Sequence, residues 1–216
     1  MIEEILVGAQ EAASAAGALR VEPAQERSLA RIDALLDAAA TVVDEVGFDR
    51  LTTAQVAELS GASIGTVYRY FPDRIALLVA LRDRAILRYR LAASEELEQN
   101  QPSTWQGAIV ALTDRFATMF RTEPGFRIMR FEEVRGLDYG QGTPDHVREF
   151  AERVAEILVA RYGFAYSDEL VFRLDIATQM AESLVERAYL RNPRGDDRLL
   201  AEAGVVAVAY LETYYN

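Results

Sequence analysis

The sequence predicts an all-α protein in which an N-terminal three-helix unit carrying a helix-turn-helix is joined to a larger C-terminal helical domain. Three observations predict it. Apolar residues recur at three- and four-residue intervals along most of the chain, no segment alternates with period two long enough to make a strand, and two short helical segments flank a glycine turn within residues 52–71. Half of the 216 residues are hydrophobic, enough to bury a core.

Residues 1–26 are alanine-rich and acidic, end in Arg20-Val21-Glu22-Pro23, and read as a mobile arm or a weak extra helix. From Ser28 the positions Ile32, Leu35, Leu36, Ala39, Val42, Val43 and Val46 draw one apolar stripe on a helix that Gly47 ends. Thr52 followed by Gln55 makes a capping box for a short helix through Ser60, which Gly61 closes. A third short helix opens with Ser63 and stops at Pro72, where proline cannot continue the hydrogen-bond ladder. Asp73 or a neighbour then caps a long amphipathic helix that runs to about Gln99. Ile75, Leu78, Val79, Leu81, Ala85, Ile86 and Tyr89 form its buried face. Beyond Pro102 helices are expected over about 104–121, 125–134, 144–162, 167–191 and 197–214, divided by Pro124-Gly125, the loop Gly136 to Gly142, Tyr162-Gly163-Phe164 and Asn192-Pro193-Arg194-Gly195. The domain division is an arm over 1–26, a helix-turn-helix domain over 27–72 and a helical domain over 73–216.

Composition narrows the chemistry. There is no cysteine, which excludes disulfides, thiolate nucleophiles and zinc sites built on sulfur, and the single histidine, His146, cannot assemble a multi-histidine metal site. His146 is expected as a solvated residue at a helix start. All 23 basic residues are arginine, so a Schiff-base or phosphate-loop lysine is absent as well. Neither a catalytic residue nor a cofactor is expected. The start Met1-Ile2-Glu3-Glu4-Ile5 carries acids where a secretory signal carries its positive charges, and no uninterrupted apolar run is long enough to span a bilayer, so a cytoplasmic protein without a membrane partner is expected.

The net charge of −11 argues against a polyanionic partner until it is divided along the chain. Residues 1–26 carry one arginine against five acids, 27–90 carry nine against eight, and 91–216 carry thirteen against twenty-one. Only the middle segment can present a phosphate-binding face, and it holds the helix-turn-helix. There Val56, Ala57, Leu59, Ile64 and Val67 are expected to lock the two short helices at a fixed angle. The outer face of the second helix shows Ser63, Thr66, Tyr68, Arg69 and Tyr70, hydroxyls and a guanidinium suited to phosphate oxygens and base edges. Gly65 inside a helix costs about 1 kcal/mol relative to alanine, which a close approach of backbone to DNA would explain.

This segment resembles the DNA-binding domain of the tetracycline-repressor (TetR) family, whose signature runs from a Leu-Thr-Thr entry through an Ile/Val-Ala pair and a glycine turn to a Ser-x-Gly-Thr-aliphatic-Tyr-x-Tyr/His-Phe recognition helix. Positions 51–53, 56–57, 61 and 63–71 match it almost residue for residue. The helix before it, with Ala38-Ala39-Ala40 and a Gly47-Phe48 exit, and the following Pro72-Asp73-Arg74 with Leu77-Leu78 are also similar. The close resemblance covers about residues 27–82, and farther on only the helical layout is similar. It implies that Thr53, Tyr68 and Tyr70 hold phosphates, that Ser63, Thr66 and Arg69 face the major groove, and that Arg74, where the family commonly has lysine, clamps backbone phosphate. Ile64 is expected to serve packing.

The resemblance further implies a homodimer formed through the last two helices on a double-stranded, palindromic operator, and a small-molecule effector bound in the helical domain. The final helix offers Ala201, Ala203, Gly204, Val205, Ala207, Val208 and Leu211 for such a bundle, and the one before it Ile176, Ala177, Met180, Ala181, Leu184 and Ala188. Gly204 is small enough to let helices of two subunits approach. Most aromatic and Met side chains of the C-terminal half are expected in plain core. Trp105, Phe120, Phe131 and Tyr189 are the candidates to line a ligand cavity, with Arg130, Glu133 or Glu182 as polar contacts. Two other readings stay open: an all-helical ligand-binding protein that has kept the domain without operator binding, and a DNA-binding module regulated by a protein partner.

Overall fold

The computed structural model describes residues 23–126, 146–190, 192 and 194–215. The arm up to residue 22 and nearly all of the helix expected over 125–134 lie outside the described residues. The described chain forms α1 (Pro23–Val46), a 3-10 turn (Phe48–Arg50), α2 (Thr53–Ser60), α3 (Ile64–Tyr70), α4 (Arg74–Asn100), α5 (Trp105–Thr122), α6 (His146–Tyr162), α7 (Asp168–Leu190) and α8 (Asp197–Glu212), with no strand among the described residues. The first helix starts earlier than its apolar stripe. Pro23 occupies the first helical position, where its missing N–H costs nothing and its fixed φ already suits the helix.

Two compact units divide these elements. The first holds α1, α2, α3, the start of α4 through Leu87, and residues 123–126. Its core is built from Leu35, Ala39 and Val43 of α1, Val56 of α2, Val67 of α3 and Leu77, Leu78 and Leu81 of α4, all buried. Each such leucine contributes about 1.5–3 kcal/mol by leaving water. Outside the core Arg84 of α4 reaches α1, donating to the Asp37 carboxylate at 2.7 Å and to the Asp33 carbonyl at 3.3 Å. Residues 123–126 lie against α1 at van der Waals distance. Gly125 has φ +73°, and a Cβ there would stand 2.6 Å from Ala40 Cβ, so only glycine fits. Its N–H donates to the Asp44 carboxylate at 2.9 Å, and Phe126 beside it is buried.

The second unit contains the remainder of α4 with α5 to α8. Here α7 packs along α6 and α8, and α8 along α5. Two tyrosines fasten this bundle to α5: Tyr89 Oη donates to the Leu112 carbonyl at 3.1 Å and Tyr189 Oη to the Ala117 carbonyl at 2.9 Å. The buried Arg90 of α4 pairs with Glu149 of α6 at 3.0 Å. Gly204 corrects one expectation. It is buried inside the chain, and a Cβ on it would meet Val110 of α5 at 3.4 Å, so its small size serves the α5–α8 contact within the chain. Among the described residues no helix is long and apolar enough to cross a membrane.

Candidate nucleic-acid interface

The sequence spacing of α2 and α3 is converted into geometry by their caps. Thr52 Oγ1 accepts the Gln55 N–H at 3.2 Å while the Gln55 side chain accepts the Thr52 N–H at 2.8 Å, closing the expected capping box. At the other end Gly61 takes φ +67°, its N–H donates to the Glu58 carbonyl at 3.3 Å and the Ala62 N–H to the Ala57 carbonyl at 3.1 Å. That pair of bonds is a Schellman motif, and it turns the chain sharply into α3. Ser63 caps α3 by accepting the Thr66 N–H at 3.1 Å.

With both ends fixed, α3 packs on α2 and buries Val67 completely, while Val56 and Ala57 are the buried positions of α2. Leu59 and Ile64 differ from the expectation that they lock the pair, being 53% and 45% exposed. The buried apolar positions of the pair are Val56, Ala57 and Val67. Ile64 stands at the first turn of α3, where no preceding turn covers it. The exposed face therefore holds Ser63, Ile64, Gly65, Tyr68 and Arg69, with Thr66 and Tyr70 half-buried beside it. No acid occurs between Glu58 and Asp73, in a chain that carries −11 overall. A Cβ on Gly65 would meet only Ser63 Oγ at 3.8 Å, so nothing among the described residues requires glycine there.

Hydrogen bonds join these groups into a surface network. Thr53 Oγ1 donates to Tyr68 Oη at 3.2 Å, and Ser63 Oγ and Thr66 Oγ1 lie 2.9 Å apart. Tyr70 Oη receives two donors, Ser28 Oγ of α1 at 3.3 Å and Arg69 Nη2 at 2.8 Å, with the Arg69 guanidinium 4.7 Å from the Tyr70 ring centre. The Ser28 hydrogen bond foremost, followed by that of Arg69 and the charges of Arg69 and Arg31, outweighs desolvation and holds this phenol below its ordinary value. Because both phenols accept from the protein, their own protons are left to donate outward. Ser28 and Arg31 had not been singled out in the sequence. Their place beside Tyr70 comes from a contact across 42 residues that no local spacing encodes. Arg74 is half-buried and donates from Nη2 to the Phe48 carbonyl at 2.6 Å, bracing the start of α4 against the turn that follows α1.

The second unit holds a partly open cavity of about 40 Å³. Phe116, Phe150, Val154 and Leu174 are among its apolar walls, and Tyr89, Thr113, Thr178 and Glu182 are its polar groups. Trp105, Phe120 and Tyr189 lie elsewhere. Trp105 packs edge-on to Phe164 with ring centres 5.9 Å apart, and Phe120 stacks on Tyr189 at 5.4 Å. These three aromatics form core contacts and do not line the cavity, whereas Glu182 does. Phe131, Arg130 and Glu133 lie outside the described residues, as does the side chain of His146. The missed signal is Thr113 amid the apolar positions Ile109, Leu112 and Phe116, a polar residue on a helix face that otherwise reads as core.

Comparison with known proteins matches both units. The pattern described as bacterial regulatory proteins, tetR family, covers residues 35–81, and that described as tetracyclin repressor-like, C-terminal domain, covers residues 103–215, more than half the chain. A solved TetR-family transcriptional regulator from Streptomyces coelicolor is 33% identical with a TM-score of 0.70, covering 85% of this chain and 98% of its own. The HTH-type transcriptional repressor Rv1474c of Mycobacterium tuberculosis is 29% identical over 136 residues, 63% of this chain and 65% of the relative. KstR of Mycolicibacterium smegmatis, also an HTH-type transcriptional repressor, is 35% identical over 54 residues, 25% of this chain and 26% of the relative. The chain thus spans less than two-thirds of the length of either repressor. With a helix-turn-helix capped and packed as described and family patterns matching its N- and C-terminal parts, the chain belongs to the TetR family of bacterial regulatory proteins.

Proposed function

We propose that the chain is a transcriptional repressor that binds a palindromic operator as a homodimer, with α3 in the major groove, and leaves it when a small molecule occupies the C-terminal cavity. The observation that carries this reading is the outer face of α3: hydroxyls, a guanidinium, an exposed isoleucine and a bare glycine, with no acid, on a helix anchored by a fully buried valine. Thr66 and Arg69 are suited to base edges, and Ile64 to a thymine methyl group. Tyr68 with Thr53, and Tyr70 with Ser28, present phenolic protons to phosphates. Ser63 spends its lone pair on the helix cap and offers its hydroxyl jointly with Thr66.

Dimerisation is supported by apolar side chains that the bundle leaves in solvent: Phe172 and Leu190 of α7 and Val205 of α8, each more than half exposed. A second copy covers such a face isologously, and a stable pairing buries at least about 1,000 Å² in total. Repression is supported by the names of the two curated relatives.

The test is selection from a random duplex library with the full chain, followed by titration of the enriched sequence and of a scrambled control at several salt concentrations. A palindromic site bound at least about 1,000-fold more tightly than the control is expected. Equal affinity for both duplexes would overturn the reading.

A further inference from the structure

The two tyrosines of α3 are held by different helices. Residues two apart leave an α-helix about 200° apart, so Tyr68 and Tyr70 stand on opposite flanks of α3. Val67 is the buried position, which leaves Gly65 and Arg69 in the middle of the outward face with one phenol on either side. On one flank Tyr68 Oη accepts from Thr53 Oγ1 of α2 at 3.2 Å, and on the other Tyr70 Oη accepts from Ser28 Oγ of α1 at 3.3 Å.

The flanks differ in charge. Besides Ser28, the groups that act on the Tyr70 phenol are the guanidinium groups of Arg69, which donates from Nη2 at 2.8 Å, and of Arg31, and no carboxylate is among them. Arg31 lies three residues beyond Ser28, hence on the same face of α1. It is exposed and, among the described residues, has no ion-pair partner. Its charge is therefore available outside the chain, beside a phenolic proton that Ser28 and Arg69 leave free to donate. A guanidinium and a hydroxyl that converge without an acid match a phosphate oxygen. The major groove, about 12 Å wide, is walled by two phosphate strands, so a helix laid in it meets one strand on each flank.

We propose that α1 belongs to the DNA interface: Arg31 binds a backbone phosphate together with Tyr70, whose phenol Ser28 orients, on the strand opposite the one that Thr53 and Tyr68 hold. The proposal rests on the reading that α3 lies in the major groove.

The experiment titrates the full chain, Arg31→Gln and Arg148→Gln on the selected operator and on the scrambled duplex at several salt concentrations. Both variants remove one positive charge from an exposed helix position, Arg148 standing on α6. Arg31→Gln is expected to weaken both duplexes at least about fivefold at low salt and to make the salt dependence shallower by about 1.8, two phosphates per dimer at roughly 0.9 each, with the preference for the operator unaltered. Arg148→Gln should keep the parent's slope. Methylphosphonate substitution, which neutralises one phosphate at a time, then locates the contact. One phosphate per half-site should weaken the parent and not Arg31→Gln, and it should lie on the other strand from the phosphate to which Thr53→Ala becomes insensitive. Ser28→Ala should lose part of the sensitivity at the Arg31 phosphate, and Ser28→Thr should keep it. An unchanged slope in Arg31→Gln, an equal loss in Arg148→Gln, both phosphates on one strand, or full sensitivity in Ser28→Ala would each overturn the proposal. A parent chain that bound no duplex at all would overturn the groove reading beneath it.

Discussion

At the scale of single residues, the recognition face divides into groups that the chain already uses and one it leaves bare. Gly65 has open space around its missing Cβ, so alanine there fits and gains helix propensity worth about 1 kcal/mol. Gly65→Ala should accordingly raise the urea midpoint while lowering operator affinity, because the added methyl holds the helix backbone off the DNA. Higher stability with unchanged affinity would remove the close approach. Arg74 is the opposite case, a residue with a partner inside the fold. Its charge-assisted bond to the Phe48 carbonyl makes Arg74→Ala cost about 1.5 kcal/mol of stability. If the same guanidinium also meets a phosphate, two contacts are lost per dimer and the salt dependence of binding becomes shallower by about 1.8. Lost stability with an unaltered slope would make Arg74 a brace alone. Sequence reasoning reached the outward residues of α3 because a seven-residue helix between two caps leaves little freedom. It could not reach Ser28, which meets Tyr70 only through the tertiary fold.

At the scale of elements, whatever is written locally was legible. The Thr52–Gln55 box, the Gly61 turn and the Ser63 cap are chemistry between residues two to five apart, and each sits where its spacing placed it. The change of unit inside α4 has no such mark, because an unbroken helix carries no proline or glycine where its packing partners change. The cavity was equally hidden. Aromatic residues advertise burial, and Trp105, Phe120 and Tyr189 are indeed buried, but which buried face borders empty space depends on how five helices converge. Two substitutions test how elements are held. Gly125→Ala places a Cβ 2.6 Å from Ala40 Cβ at a positive φ and should cost about 2 kcal/mol or more by thermal melting, whereas a harmless change would mean that residues 123–126 pack loosely on α1. Gly204→Leu should destabilise the α5–α8 contact by about 1–3 kcal/mol through overpacking against Val110. If it instead left stability intact and split the dimer, Gly204 would belong to the subunit interface after all.

At the scale of the whole molecule, a chain of net charge −11 binds a polyanion only if few groups do the work and are doubled by symmetry. On the proposed palindrome each chain offers one short recognition helix, so a monomer would hold only half of the site. The dimer is therefore expected to set the operator affinity, and Val205, 57% exposed on α8, is the place to test that. Glutamate at this position stays in water in a monomer but would place two like charges within a two-fold interface. Val205→Glu should leave the far-ultraviolet spectrum and the melting of the single chain intact, elute as a monomer, and bind the operator with about half the salt slope of the parent, since half the phosphate contacts remain per binding event. Sedimentation and salt-dependent titration on one preparation read both properties. A monomer that kept the full slope and affinity would show that operator binding needs no symmetry. A dimer that persisted would place the interface on a face of α7 or α8 that does not include Val205.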